Sequence, residues 1–310
     1  TYRYEDTHGC VNTRTFTIRV TDEETLFIAC PATLVVSTDM GECFASLEES
    51  DLGVPVVTGT LAGPANTVSS NFDVLFPDGE LPVGNHLVTW LVENTNGTTA
   101  TCTQTIVVTE DQAPVIGCPV PFTVYTAPGV CHTALLPADF GFLVAFDNCT
   151  DAGDLLITND FNTQFPDGIV PLGSYTVIWR AEDAAGNVST CTQTFTVEDR
   201  EGPVVTCPAA VTRFVTAGTC FATLTLADLG MATAVDNCTA QAALVITNNF
   251  NTLFPGGMVA AGTHQVTWTA TDASGNTGTC LQTVTIIDDE DPEITAPALV
   301  TAPAGIGTCM

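Results

Sequence analysis

Acidic residues recur along this chain of 310 residues at a fixed interval. Glu110, Asp199 and Asp288 stand 89 residues apart, and so do Asp147 and Asp236, and Asp183 and Asp272. Asn148 and Asn237, and Asn187 and Asn276, keep the same step, while Asp111 and Glu201 follow closely on Glu110 and Asp199. Carboxylates brought face to face repel one another at neutral pH unless a cation joins them. Oxygen ligands from Asp, Glu and Asn are hard, and they suit calcium, which takes 6–8 oxygens at about 2.3–2.6 Å. Zinc is disfavoured, because His is scarce and the Cys spacing reads as disulfides. Two calcium-binding sets are expected. One is Glu110, Asp111, Asp147, Asn148, Asp183 and Asn187; the other is Asp199, Glu201, Asp236, Asn237, Asp272 and Asn276. Asp22 and Glu23 mark a weaker third position. The repeat after them has Val57 and its neighbours, Asn94 and Thr98 where the others carry the acidic loops, leaving Glu48, Glu49 or Asp51 as substitutes. The competing reading is that Asp and Asn here merely close turns by bonding backbone two residues on. No EF-hand loop is present.

The elements that must position these residues repeat as well. Cys30, Cys118 and Cys207 recur at 88 and 89 residues, as do Cys43, Cys131, Cys220 and Cys309, while Cys102, Cys191 and Cys280 keep the step of 89. "GNHLVTWLVEN" at Gly84 returns as "GSYTVIWRAED" at Gly173 and "GTHQVTWTATD" at Gly262, with Trp90, Trp179 and Trp268 in register. Short alternating runs separated by Gly, Pro, Asn and Asp, with no sustained helical period, predict strands. About seven of them per repeat predict an all-β chain of tandem immunoglobulin-like antiparallel β-sandwich domains arranged end to end. The expected boundaries are 1–22 (end of a preceding repeat), 23–110, 111–199, 200–288, and 289–310 (start of a following repeat), so the sequence reads as a segment of a longer chain. In such a sandwich the exit of one domain's last strand meets the BC and FG loops of the next. Those are the positions of the acids. The Trp column fills the cores, and His86, Tyr175 and His264 form a packing or surface column.

The order "CP", "PGVC" (Pro128–Cys131), "DNC" (Asp147–Cys149), "FPDG", "PLGSYTVIWRAEDAAGNVSTC" and a closing "VED" resembles the hyalin repeat (HYR) module, closely from Asp111 to Ile287 and more loosely from Glu23 to Glu110. The resemblance implies an immunoglobulin-like, extracellular, tandem module associated with adhesion, as in large bacterial surface adhesins. It implies no ligand.

Composition limits the rest. Six Arg, no Lys and 35 Asp plus Glu give a net charge of −29, which repels nucleic acid and anionic membrane surfaces. No apolar run is long enough for a membrane span. Thirteen cysteines argue for an oxidising, extracellular or cell-surface location. Within a repeat the expected bridges are Cys149–Cys191, Cys238–Cys280, Cys118–Cys131, Cys207–Cys220 and Cys30–Cys43, with a bridge across a domain joint as the open alternative. No nucleophile, zinc-protease or phosphate-loop motif occurs, so no catalytic residue is expected. The reading is a structural segment of a filament or adhesin stalk, rigidified by calcium and disulfides, whose partners are further repeats or copies of itself. The rivals are a glycan- or protein-binding recognition module and an accessory spacer of a secreted enzyme.

Overall fold

The computed structural model describes residues 1–19, 24–292 and 294–295. The chain is all-β, built of tandem β-sandwich repeats as expected. It divides into two compact units: the described residues of Thr1–Cys118, Leu143–Thr158 and Trp179–Cys191, and those of Pro119–Phe142, Asn159–Ile178 and Thr192–Met310. The first acidic set falls wholly inside one unit and the second wholly inside the other.

The last complete repeat shows how the sequence builds a sandwich. One sheet runs, in spatial order, Val211–Phe214, Thr277–Ile287, Gly262–Thr271 and Val245–Asn248. Val211–Phe214 pairs parallel to Thr277–Ile287, with Val211 opposite Val284 and Phe214 opposite Ile287, and the other pairings are antiparallel. Two short antiparallel pairs complete the repeat, Val204–Thr206 with Thr233–Val235 and Phe221–Thr223 with Met258–Ala260. Alternation along the long strands sends Val266, Trp268, Val284 and Ile286 inward, where they meet Leu224, Leu229, Phe250 and Val259. The first repeat repeats this plan, with Leu34–Ser37 parallel to Thr99–Thr109 and Val88, Trp90, Ile106 and Val108 in the core. The Trp column is therefore core.

The "FPDG" column has a local cause. Phe72, Phe161 and Phe250 each begin a one-turn helix and are almost fully buried, a feature the absence of helical periodicity could not reveal. The column ends on Gly79, Gly168 and Gly257, all at positive φ. A Cβ at Gly257 would lie 2.1 Å from the Leu224 carbonyl oxygen, so only glycine fits. The His column is packing, as expected. His86 and His264 stand edge-on to Phe76 and Phe254, and Tyr175 stands edge-on to Phe165.

Gln282 is the buried polar feature that sequence inspection missed. It is 1% exposed, accepts the indole N–H of Trp268 at 2.9 Å, and donates to the carbonyls of Ala209 and Leu229, each at 2.8 Å. Gln104 does the same for Trp90, Ala32 and Leu52. One amide thus ties the Trp side chain to two separate chain segments. Gln282→Leu leaves an indole N–H and two carbonyls without partners, and should destabilise its unit by roughly 2–4 kcal/mol. Urea unfolding reads this directly, and a change within about 0.5 kcal/mol contradicts it.

Candidate metal centre

Each aspartate of the second set is the first residue after a strand. Asp199 follows Val188–Glu198, Asp236 follows Thr233–Val235, and Asp272 follows Gly262–Thr271. Strand pairing fixes where those three ends fall, and it brings them together. One carboxylate oxygen from each lies within 4.8 Å of those of the other two. That spacing brings three carboxylate oxygens within reach of one shared ion. Asp199 and Asp272 are buried, Asp236 is half-buried, and no Arg reaches them among the described ion pairs. The guanidinium of neighbouring Arg200 instead lies over the Tyr125 ring, 3.4 Å from its centroid.

Turn closure accounts for part of each carboxylate. Asp236 Oδ1 accepts the amides of Cys238 and Thr239, at 3.2 and 3.0 Å. Asp272 accepts the Asn276 amide at 2.7 Å on Oδ1 and the Asn276 side-chain Nδ2 at 2.9 Å on Oδ2. Asp199 Oδ1 accepts the Glu201 amide at 3.1 Å. The remaining oxygens, Asp199 Oδ2 and Asp236 Oδ2, are buried and have no hydrogen-bond partner. The first repeat shows that the turn itself needs no charge. There Asn94 Oδ1 holds the equivalent loop by accepting the amides of Asn96 and Thr98. The surplus negative charge of Asp199, Asp236 and Asp272 is thus left over after the turns are made. Two unit charges about 5 Å apart repel by roughly 3 kcal/mol at an effective dielectric of 20. Three clustered carboxylates, two of them with a buried, unpartnered oxygen, fit a hard divalent cation.

The first set is a variant of the same arrangement. Glu110 replaces the aspartate and is buried; its carboxylate accepts the Gln112 amide and the Asn187 side-chain N–H. Asp147 Oδ1 accepts the amides of Cys149 and Thr150, and its Oδ2 is buried without a partner. Burial holds the Glu110 carboxyl above the ordinary glutamate value, and Asp183 and Asp147 push it the same way, against a hydrogen bond from the Gln112 amide. For Asp183 burial also acts upward, but hydrogen bonds from Asn187 outweigh it and leave the group below its ordinary value. A raised carboxyl contributes stability in acid that is lost as pH rises through its folded-state pKa. A lowered one contributes stability above its unfolded pKa that is lost as pH falls. Glu110→Gln should therefore raise the thermal midpoint in chelator at neutral pH and flatten its fall with rising pH above the ordinary glutamate range. An unchanged midpoint–pH curve contradicts this.

Four of the expected ligands make contacts across the repeat boundary. Asn148 Nδ2 donates to the Glu42 carbonyl at 2.6 Å, and Asn237 Nδ2 donates to that of Val130 at 3.1 Å. Glu201 accepts the Gly129 amide at 2.6 Å, and Asp111 accepts the Ser37 hydroxyl at 2.7 Å. Each fastens a loop of one repeat to the preceding repeat. Thr150 and Thr239, which sequence reasoning passed over, are buried and accept the Ala184 and Ala273 amides at 3.1 Å, joining the two acidic loops. Of the substitutes, Glu49 accepts the Ser70 hydroxyl and Asp51 accepts the Glu48 amide. Asp22 and Glu23 lie outside the described residues.

All five expected disulfides are replaced. Cys30 pairs with Cys102, Cys118 with Cys191 and Cys207 with Cys280, within repeats. Cys43 pairs with Cys149 and Cys131 with Cys238, across repeats. Cys149–Cys191, Cys238–Cys280, Cys118–Cys131, Cys207–Cys220 and Cys30–Cys43 do not form. The reason is the parallel pairing. After Cys207 the strand Val211–Phe214 runs alongside the last strand to Ile287, so Cys220 emerges at the exit end of the repeat, far from Cys207. Cys280, near the start of the last strand, is left beside Cys207. The Asp-Asn-Cys loop faces the preceding repeat's exit hairpin instead. The joint-crossing bridge left open from the sequence is found at Cys43 and at Cys131, and the three bridges within repeats follow a pairing the sequence reading did not expect.

Residues 198–286 match the family model of the HYR domain. Over 327 residues, 99% of this chain, it is 31% identical to hyalin of Strongylocentrotus purpuratus, and over 329 residues it is 29% identical to hyalin of Lytechinus variegatus. The chain spans 25% and 56% of the length of those two relatives. Among solved structures it is similar to mouse cadherin-23 EC22–24, at 14% identity and a TM-score of 0.39, covering 86% of this chain and 100% of that one. Drosophila N-cadherin EC1–4 is similar at 12% identity and a TM-score of 0.33, covering 87% and 76%.

Proposed function

We propose that this chain is a structural segment of an extracellular filament or adhesin stalk, made of tandem HYR-like repeats whose junctions are closed by calcium and by disulfides. The domain boundaries expected above, 23–110, 111–199 and 200–288, serve as its repeating units. The observation that carries the metal is the pair of buried, unpartnered oxygens on Asp199 and Asp236, clustered with the Asp272 carboxylate. Five disulfides support an oxidising, extracellular setting. No described helix is long and apolar enough to cross a membrane. The likeness to the sea-urchin hyalins supports the module, and the proposal does not depend on a bacterial source. The chain's own contribution is geometric: strand ends aim the carboxylates, turn bonds hold one oxygen of Asp199 and of Asp236 and both of Asp272, and loop clamps fasten each repeat to the one before it. Catalysis plays no part in this reading.

The test is thermal unfolding in calcium, in magnesium and in chelator, with limited proteolysis at Asp199–Gly202 and Glu110–Gln112. Calcium at about a hundred times its dissociation constant adds roughly 2.7 kcal/mol. For units of this size that is a rise of several degrees, with slower cleavage at both sites. Identical melts and cleavage in all three media contradict the calcium half of the proposal.

A further inference from the structure

The exit end of the third repeat carries, ready-made, the half of a junction that the two earlier exits have already used. At the first exit the Gly41 amide donates to Gln112, at the second the Gly129 amide donates to Glu201, and at the third the Gly218 amide donates to Glu290 at 2.8 Å. Each of those acceptors is held by the acid two residues before it. The Gln112 amide bonds Glu110, the Glu201 amide bonds Asp199, and the Glu290 amide bonds Asp288. The backbone agrees throughout: Thr38, Thr126 and Val215 each donate to the last strand's final carbonyl, of Thr109, Glu198 and Ile287 respectively. Asp39, Ala127 and Thr216 close the hairpins by donating to Phe44, His132 and Phe221. In the first two hairpins the cysteine is half-buried beneath a bridge, Cys43 to Cys149 and Cys131 to Cys238, at separations of 106 and 107 residues. In the third the cysteine, Cys220, is exposed and free.

We infer that the surface formed by Cys220, Gly218, Asp288 and Glu290 is a docking face for the Asp-Asn-Cys end of a repeat placed next in register, which it holds covalently through Cys220. The occupant follows from the two filled copies. In both, the preceding hairpin receives a loop whose Asn donates to a hairpin carbonyl and whose Cys takes the hairpin Cys. Asp288 would supply the third carboxylate beside the incoming loops, as Asp199 does at the second junction. Bond formation is a thiol–disulfide exchange with a small disulfide such as oxidised glutathione. The Cys220 thiolate attacks one glutathione sulfur and releases one glutathione thiolate. The incoming Cys thiolate then attacks the Cys220 sulfur and releases the second. Two protein thiols are oxidised and one glutathione disulfide is reduced. The inference deepens the tandem-repeat reading but does not need its calcium.

The experiment extends the full chain past Met310 with a copy of residues 222–288, its own Cys280→Ser so that it offers one new thiol. After oxidation with glutathione, non-reducing peptide mapping should find the new Asp-Asn-Cys peptide linked to the Cys220 peptide in nearly all molecules. The five existing bridges serve as the folding control. With those bridges intact, a Cys220 that still alkylates, or a new cysteine linked to Cys10 or Cys309, overturns the inference. In the unextended chain Cys220 should alkylate as an exposed thiol, and a native bridge from it to another cysteine also overturns it. Mapping is repeated in chelator. Linkage there, without any calcium effect on melting, keeps the docking face and removes the calcium reading; calcium-dependent melting without linkage does the reverse.

Discussion

Asp199→Asn should raise the thermal midpoint of the chain in chelator and lower it in millimolar calcium. The substitution is nearly isosteric, and its amide oxygen can still accept the Glu201 N–H that Asp199 Oδ1 now accepts. What it removes is one negative charge from a cluster in which two buried oxygens have no partner. Without metal that charge only repels Asp236 and Asp272, so its loss is stabilising. At about 2–4 °C per kcal/mol for a unit of this size, a rise of a few degrees is expected. With calcium present the same oxygen is a ligand, and its loss reduces the binding that adds RT ln(1 + [Ca]/Kd) to stability. The increment from calcium should fall by most of its several degrees. If the acids serve only their turns, the substitution changes the midpoint alike in both media, and Asn94 shows a neutral side chain doing that work in the first repeat.

Removing the bridge across the second junction is the other large effect. In Cys131→Ser with Cys238→Ser, a closure between residues 107 positions apart is lost. Chain entropy assigns a closed loop of about 100 residues some 4.7 kcal/mol, and native disulfides are typically worth 2–5 kcal/mol. The double variant should therefore lose about 2–4 kcal/mol in urea unfolding. Amide exchange at Asp236–Thr239 should quicken before that of the core strand Thr277–Ile287, because the bridge fastens the loop and not the sheet. Unchanged exchange at the loop and an unchanged midpoint contradict a bridge at this place.

The repeat, the strands and the Trp cores were legible because periodicity two and an 89-residue step survive in single residues such as Trp90, Trp179 and Trp268. The acids Asp199, Asp236 and Asp272 were legible for a topological reason: sandwich loops at one end must meet the exit of the preceding domain. Three things were hidden. The disulfide pairing depends on Val211–Phe214 running parallel to the last strand, and sequence gives strands without their direction. Gln282 looks like any polar residue of a Thr-rich strand until its inward register opposite Trp268 is known. Asn148, Asn237, Glu201 and Asp111 share the acidic neighbourhood, but their contacts are with the preceding repeat's backbone and side chains, which spacing alone cannot distinguish from ligation.

The most direct measurement is calcium bound per chain, determined by mass spectrometry after equilibrium dialysis, for the native protein and for Asp236→Asn with Asp272→Asn. Those amides keep an oxygen to accept the backbone N–H groups of Cys238, Thr239 and Asn276 while removing two charges. The native chain should hold at least one ion, and the double variant should hold one fewer with its β-sheet circular dichroism unchanged. No calcium on the native chain, or an equal count on the folded variant, contradicts a metal-closed junction at Asp199, Asp236 and Asp272.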